Sequence, residues 1–175
     1  MSKIVIVYHS GYGHTKALAE AVLDGARSVP GTEASLAAAD DAERHWDALN
    51  AADALIFGAP TYMGSLSAPF KTFMDASSKV WFEQKWKDKL AAGFTNSGSQ
   101  SGDKFNALVQ LATFAAQHGM IWVSLGLLPG NNASQAGPDD LNRLGSFLGA
   151  MAQSNIDQGP DLAPPTSDRR TAEHL

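Results

Sequence analysis

The sequence predicts a doubly wound α/β fold, in which a parallel sheet carries helices on both faces. Apolar runs at 3–8, 53–60, 89–98 and 120–126 are short and continuous, as is typical of strands buried on both sides. Segments with apolar residues at helical spacing separate most of these runs. Strands that alternate with helices of this length are joined by right-handed crossovers and therefore form a parallel sheet.

The first unit is a strand, a tight loop and a helix. KIVIVY at 3–8 is the strand, and apolar positions recur at helical spacing from Thr15 onward. Pro30-Gly31 ends this helix, and a weaker strand is expected at 32–37.

The later elements follow the same alternation. Pro69 is expected in the first turn of its helix, and Gly119 stops the next one. In order, we expect a strand at 53–60, a loop at 61–69, a helix from 68, a strand at 89–98, a helix at 104–119 and a strand at 120–126.

The last third of the chain is ambiguous. Residues 127–160 have partial helical spacing, but Gly145 and Gly149 each weaken a helix by about 1 kcal/mol relative to alanine. The segment is therefore either a helix or irregular. Residues 161–175 contain Ala-Pro-Pro and are expected to form a short terminal helix or a flexible tail.

The composition is that of a globular protein, and we expect residues 1–175 to form one domain. A formal charge of -5 argues against nucleic-acid and anionic-membrane partners, because both need clustered positive charge. The chain has no cysteine, which excludes thiol catalysis, and it shows no metal-ligand spacing. No signal-like segment or membrane-spanning run is present in the sequence, so we expect a soluble cytoplasmic protein.

Three loops follow the predicted strands, at 10–15, 60–65 and 96–102. In an open parallel sheet, ligands bind beyond the carboxyl ends of the strands, so these loops are the candidate site. All three are rich in glycine and in small hydroxyl or amide side chains, and none carries a charged lysine, arginine or carboxylate.

The first loop, SGYGHT, has the composition of a phosphate-binding turn. Gly11 and Gly13 permit a tight turn, while Ser10 and Thr15 offer hydroxyl groups beside the N-terminus of the following helix. The loop matches neither GxxxxGK(S/T) nor GxGxxG, so a phosphate monoester fits better than ATP or a dinucleotide. His14 alone is better explained as a helix-start or surface histidine than as a catalytic residue.

Four stretches of the sequence, in this order, resemble those of a known family: VYHSGYGHT, IFGAPTYMGSLSAPFKTFMD, KLAAGFTNSGSQSGDK and QHGMIWVSLG. The sequence resembles the flavodoxin-like flavoproteins. It is particularly similar to the FMN-dependent NAD(P)H:quinone oxidoreductases of the tryptophan-repressor-binding-protein type and to related FMN reductases. The resemblance implies bound FMN and a five-stranded parallel sheet of order 2-1-3-4-5.

The resemblance assigns the three loops to FMN. The first would cradle the phosphate, the second would lie along the isoalloxazine, and backbone donors of the third would reach its polar edge. Tyr12 would also meet the nicotinamide cofactor. The implied cofactor-binding residues are Ser10, Gly11, Tyr12, Gly13, His14, Thr15, Pro60, Thr61, Tyr62, Met63, Gly64, Asn96, Ser97, Gly98, Ser99, Gln100 and Ser101.

Two further residues resemble family positions that line the ring pocket, either within one subunit or across a subunit boundary. Trp81 would contact the substrate, and His118 would help to protonate the reduced acceptor. Core or helix-end positions are the alternative interpretation of both. Tyr62 stands where the family often has an arginine, and Gln100 and Ser101 stand where glycines are common, so substrate choice and the path of the third loop are open.

The implied activity is a ping-pong cycle. NAD(P)H would donate a hydride to bound FMN and leave, and a quinone-like acceptor would then take two electrons. The family also implies a homodimer or homotetramer. Three alternatives stay open: a flavodoxin-type one-electron carrier, an FMN reductase that releases reduced FMN, and a non-catalytic interaction protein on this fold.

Overall fold

A computed structural model describes residues 1–175. None of its helices has the length and hydropathy needed to cross a bilayer. The strands are β1 (Ser2–Tyr8), β2 (Thr32–Ala38), β3 (Ala54–Tyr62), β4 (Ser65–Leu66), β5 (Leu90–Ser97), β6 (Ile121–Trp122) and β7 (Ala150–Gln153). The α-helices are α1 (His14–Ser28), α2 (Trp46–Ala51), α3 (Ala68–Ala76), α4 (Ser78–Phe82), α5 (Lys104–Gln117) and α6 (Thr166–His174), and a 3-10 helix spans Ala39–Arg44.

The sheet has the order β2-β1-β3-β5-β6, and β7 also pairs with β5. All these pairs are parallel, whereas β4 forms an antiparallel hairpin with β3. The predicted order 2-1-3-4-5 did not count the hairpin strand β4, so the fourth strand of that prediction is β5 of the structure. The predicted fold is therefore confirmed, with one change: β6 and β7 share the fifth position, opposite the first and last parts of β5.

The split fifth strand corrects the expected strand at 120–126. Only Ile121–Trp122 pair with β5, and the chain leaves the sheet for residues 123–149, which we call the excursion. No helix forms there. Instead, the buried side-chain amide of Asn142 donates hydrogen bonds to the carbonyls of Leu127, Leu128 and Ser146, which holds the irregular backbone together.

Alternation along the strands divides the core between the two faces of the sheet. Val5, Val7 and Phe57 belong to the cluster that α3 and α5 help to cover. Ile6 and Ile56 point to the opposite face, which α1 and α6 cover. Burial on both faces explains why β1 and β3 read as continuous apolar runs in the sequence.

The terminal helix α6 lies against α1 at a glycine. A Cβ atom placed on Gly25 would collide with the backbone carbonyl of Glu173, so the two helices can approach this closely only because position 25 lacks a side chain. The predicted short terminal helix is thus present, and it completes one layer of the fold.

Gly25→Ala should destabilise the protein. Alanine ordinarily favours a helix by about 1 kcal/mol relative to glycine, but here the added methyl group meets backbone, and overpacking of this kind costs roughly 1–3 kcal/mol. Chemical denaturation measures the change in the free energy of unfolding. Gly137→Ala is the matched control, because nothing lies within 4 Å of its added Cβ. A Gly25→Ala variant more stable than wild type would contradict the packing.

Candidate functional site

A cleft of about 490 Å³ opens at the carboxyl edge of the sheet. Its walls are the ends of β1, β3, β5 and β7 and the segments that follow them. The cleft is lined by 13 residues: Ser10, Tyr12, His14, Thr15, Pro60, Thr61, Tyr62, Asn96, Ser97, Gly98, Ser154, Ile156 and Gln158.

Most of the residues expected at a cofactor line this cleft, from all three loops. Met63, Gly64 and Ser99 line an adjoining depression that shares Thr61, Ser97, Gly98 and Ile156 with the cleft. Gln100 and Ser101 instead face a wide groove beside the start of α5. Gly11 and Gly13 shape the first loop without lining the cleft. The assignment of these residues to FMN stays a prediction.

The fourth wall was missed from the sequence. Ser154, Ile156 and Gln158 follow β7, which lies in the segment that was predicted to be either helical or irregular. The Ser154 hydroxyl donates to the side-chain oxygen of Asn96 at 2.9 Å, and so joins this wall to the third loop. The available signal was an apolar run ending in a small hydroxyl residue, as after the other strands, but the run is only four residues long.

The first loop is an anion cradle at the N-terminus of α1. Gly13 has φ +90°, a conformation that favours glycine. The Ser10 hydroxyl oxygen accepts hydrogen bonds from the N–H groups of Gly13 and Lys16, each at 3.1 Å. The N–H groups of His14 and Thr15 donate to no protein acceptor. Because no carboxylate lines the cleft, these donors and the helix dipole suit a phosphate group.

Two tyrosines form an aromatic wall at the mouth of the cleft. The rings of Tyr12 and Tyr62 meet edge to face with centroids 6.4 Å apart. The Tyr62 hydroxyl lies 2.8 Å from the place that a Cβ on Gly11 would occupy, so a side chain at position 11 would displace the ring. Burial, and then the nearby Tyr12, raise the pKa of Tyr62, and the Gly11 backbone lowers it to a smaller extent.

The second loop is a tight hairpin and not the open loop that the sequence predicts. Met63 and Gly64 both have positive φ, as required by the two-residue turns that best match strand twist. Asn106 donates to the Gly64 carbonyl at 2.6 Å, and the Ser65 hydroxyl donates to Gln110 at 3.0 Å. Helix α5 therefore holds this wall of the site in place.

The expected position of His118 over the cleft is wrong. Its ring is 2% exposed and packs against Trp86 and Phe114, at centroid distances of 4.5 and 4.8 Å. Nε2 is hydrogen-bonded to the Ser77 hydroxyl at 2.9 Å, while Nδ1 has no partner. Helix α5 begins at the carboxyl edge of the sheet and runs back, so its last residues lie at the far edge from the cleft. Burial lowers the pKa of His118 to about 4.

Trp81 also lies outside the cleft. It is on α4 and 40% exposed, and it does not line the candidate site. For His118, the alternative interpretation as a core residue describes this chain, while the contact of Trp81 with the substrate stays a prediction.

Solved structures place the fold in a known class. The flavodoxin, WrbA-like protein from Agrobacterium tumefaciens is 45% identical, with a TM-score of 0.76 over 99% of this chain and 92% of that chain. A flavodoxin from the domain Archaea is 28% identical, with a TM-score of 0.58 over 69% of this chain and 78% of that chain. Fold and cleft together define a flavodoxin-like protein.

The sequence comparisons define a family within this class. The chain belongs to the NADPH-dependent FMN reductase family, whose model matches residues 17–135. Flavodoxin FldP from Pseudomonas aeruginosa is 48% identical over 94% of this chain and 88% of that relative. An NAD(P)H dehydrogenase (quinone) from Geobacter sulfurreducens is 34% identical over 70% of this chain and 71% of that relative. The predicted resemblance is thus confirmed.

The buried imidazole should make stability depend on pH. His118 has a lower pKa folded than unfolded, so the unfolded chain takes up more protons between about pH 6.5 and pH 4. Stability is then full above about pH 6.5 and falls as the pH drops toward the folded pKa of about 4, by roughly 2–3 kcal/mol. Denaturation of wild type and His118→Gln at several pH values measures the difference. Equal slopes in the two proteins would contradict this assignment.

Proposed function

We propose that this chain binds FMN in the cleft and catalyses two-electron transfer from NAD(P)H to a quinone-like acceptor. The observation that carries the proposal is the anion cradle: a hydroxyl-rich loop with free N–H donors, opening onto a cleft without carboxylates. Membership in the FMN reductase family supports the same cofactor.

The residues present fit FMN in their chemistry. Residues Ser10 to Thr15 would bind the phosphate, and Thr61 and the 96–99 segment would lie along the rest of the cofactor. When bound, FMN supplies the hydride and electron chemistry. The chain's own part is to bind and orient the cofactor and to exclude water from one side of it.

Three apolar or aromatic side chains stand at the open side of the site. The side chains of Tyr12, Met63 and Ile156 are exposed around the cleft and the adjoining depression. A flat, apolar acceptor would bury this surface, and relatives named NAD(P)H dehydrogenase (quinone) support that class of acceptor. Because His118 is buried away from the cleft, the acceptor takes its proton from solvent in this proposal, and a ping-pong order needs no enzyme acid.

A one-electron carrier is the second candidate. It is favoured by the 48% identity to a relative named Flavodoxin FldP. Carriers of this type usually dock through a strongly acidic surface, whereas the formal charge here is -5 over 175 residues. Release of reduced FMN at each cycle, as the family name allows, is a third route.

We also propose a cytoplasmic homodimer or homotetramer, in which residues 1–175 act as one domain. Trp81 and Phe82 on α4 are 40% and 80% exposed, which supports self-association through this helix. Trp86 is fully buried and therefore belongs to the core. Gel filtration with light scattering measures the assembly, and loss of higher mass in Phe82→Ser would support α4 as the interface.

An absorption spectrum tests the cofactor and the donor together. The protein, purified or supplied with FMN, should show flavin bands that bleach at once on anaerobic addition of NADPH, and repeated turnover should follow when a quinone is added. Bleaching without quinone turnover, with two separate one-electron potentials, would favour the carrier. Reduced flavin that separates from the protein on a desalting filter would favour the FMN reductase. A protein that takes up no FMN would overturn the proposal.

Thr15→Val should weaken FMN binding without harming the fold. The Thr15 hydroxyl makes no protein hydrogen bond and its residue lines the cleft, so valine keeps the shape and removes one donor to the phosphate. The loss of a hydrogen bond to a charged group, about 1.5–3 kcal/mol, corresponds to at least a tenfold higher Kd. Quenching of FMN fluorescence measures it. Thr72→Val on the exposed side of α3 is the control, and an equal Kd in both variants would contradict the assignment.

A further inference from the structure

A buried lysine stands directly behind the third loop. Lys104 is the first residue of α5 and its exposed fraction is 0%. Its ammonium group donates three hydrogen bonds: to the Ser97 hydroxyl at 3.0 Å, to the Ser99 carbonyl at 2.6 Å and to the Gln100 carbonyl at 2.7 Å. A buried cation at a helix N-terminus is opposed by desolvation and by the helix dipole, so these bonds offset a substantial penalty.

The hydrogen bonds of Lys104 set the direction of the loop's peptide groups. In a trans peptide, the N–H points opposite to the carbonyl of the same unit. Since the carbonyls of Ser99 and Gln100 point at Lys104, the N–H groups of Gln100 and Ser101 point away from it. Neither N–H donates a hydrogen bond within the protein. The lysine therefore fixes the direction of two unused donors, which belong to the two loop residues that line the groove beside α5.

A second set of contacts holds the loop from the fourth wall. Arg143 of the excursion forms a bidentate ion pair with Asp168 of α6, with both N–O distances 2.7 Å. Asp168 also accepts from the Gln153 backbone N–H at 2.9 Å, and the Gln153 side chain donates to the Gly98 carbonyl at 3.0 Å. Loop 97–100 is thus fixed by Lys104 on one side and by Gln153 on the other.

These charges do not cancel. Lys104 and Arg143 are cations and Asp168 is the one buried carboxylate with them, while the neighbouring Asp103 is exposed to solvent. Burial lowers the pKa of Lys104 to about 8, with Asp168 raising it and Arg143 lowering it, so the amine is still mostly protonated at neutral pH. One positive charge is left in excess beneath the loop.

We propose that Lys104 is a positioning residue for the flavin: it holds loop 97–101, whose Ser97, Gly98 and Ser99 line the cleft and the adjoining depression, and supplies a buried positive charge that raises the reduction potential of bound FMN. The inference rests on the proposed function. A cofactor that gains negative charge on reduction is favoured in its reduced form by a nearby buried cation. Lys104 acts by holding the loop and through the electrostatic field of its charge, and it takes no part in the chemical step.

Lys104→Met tests the proposal, because it keeps an unbranched chain of similar length and removes the charge and the donors. We expect oxidised FMN to bind about tenfold less tightly and reduced FMN about a hundredfold less tightly. The tenfold difference between them corresponds to a two-electron potential about 30 mV lower. The amides at positions 104 and 154, which donate to the Ser101 and Ser97 carbonyls, report on the order of the loop by hydrogen exchange. In FMN-free protein this loop exchange should also be about tenfold faster, since the loop has lost an anchor.

Lys89→Met is the matched control. The Lys89 amine also donates to two carbonyls, those of Asn50 and Ala52, but it lies before β5 at the opposite edge of the sheet. The Lys89→Met variant should leave the FMN affinity, the reduction potential of bound FMN and the loop exchange unchanged. Lys104→Gln is a second variant, whose neutral amide retains donors; it should keep part of the loop's protection while lowering the potential, and it serves if the methionine variant fails to fold.

The outcomes separate the two proposals. Wild-type protein that binds FMN, together with a Lys104→Met variant of equal affinity, potential and loop exchange, would overturn the role of Lys104 and leave the proposed function standing. Wild-type protein that does not bind FMN would overturn the proposed function, and loop exchange alone would then decide whether Lys104 orders residues 98–102. Faster exchange with an unchanged potential would limit Lys104 to holding the loop and overturn its electrostatic effect.

Discussion

The parallel register of β1, β3 and β5 is the constraint on which the site depends. Tyr8 pairs with Gly58 and Pro60 pairs with Asn96, so three strands that are far apart in sequence end at one edge. The chain must turn after each end, and the turns therefore meet in space. Backbone groups that leave the ladder at this edge have no strand partner, which makes the edge a natural place for a polar ligand.

The chain arranges charge around this edge in an unusual way. No acidic side chain lines the cleft, and behind its walls stand the cations Lys104, which is buried, and Arg143, which is half-buried. Polar contact with a ligand is therefore left to hydroxyls and backbone N–H groups, which are fixed in direction, while the formal charges act from a distance. Such preorganised dipoles need little rearrangement when charge develops nearby.

Local signals made much of this architecture predictable. The glycines of SGYGHT, the continuous apolar runs and the composition of the loops each depend on a few adjacent residues, and they appear in the structure where expected, except that the run at 120–126 forms a strand of only two residues. The pairing of β7 with β5 is non-local, and its four residues are too few for a clear period. The hairpin at Met63-Gly64 was missed because methionine is not among the residues that usually take the first position of such a turn, although glycine suits the second. His118 was misplaced because the resemblance assigned it to the ring pocket, although the predicted parallel order already puts the end of the helix at 104–119 at the far edge of the sheet.

The division of the fifth strand has a consequence for how the chain can vary. The excursion begins and ends beside β5, so it closes a loop whose two ends are fixed by pairing at Ala91–Trp122 and Phe94–Ala150. The entropy of closing a flexible loop grows only with the logarithm of its length, by about 0.6 kcal/mol for each doubling. Residues can therefore be added to or removed from its exposed part, 131–135, with little effect on stability, whereas the contacts of Asn142 and Arg143 fix the rest. The register of β7 then returns Ser154 to the same place in the cleft.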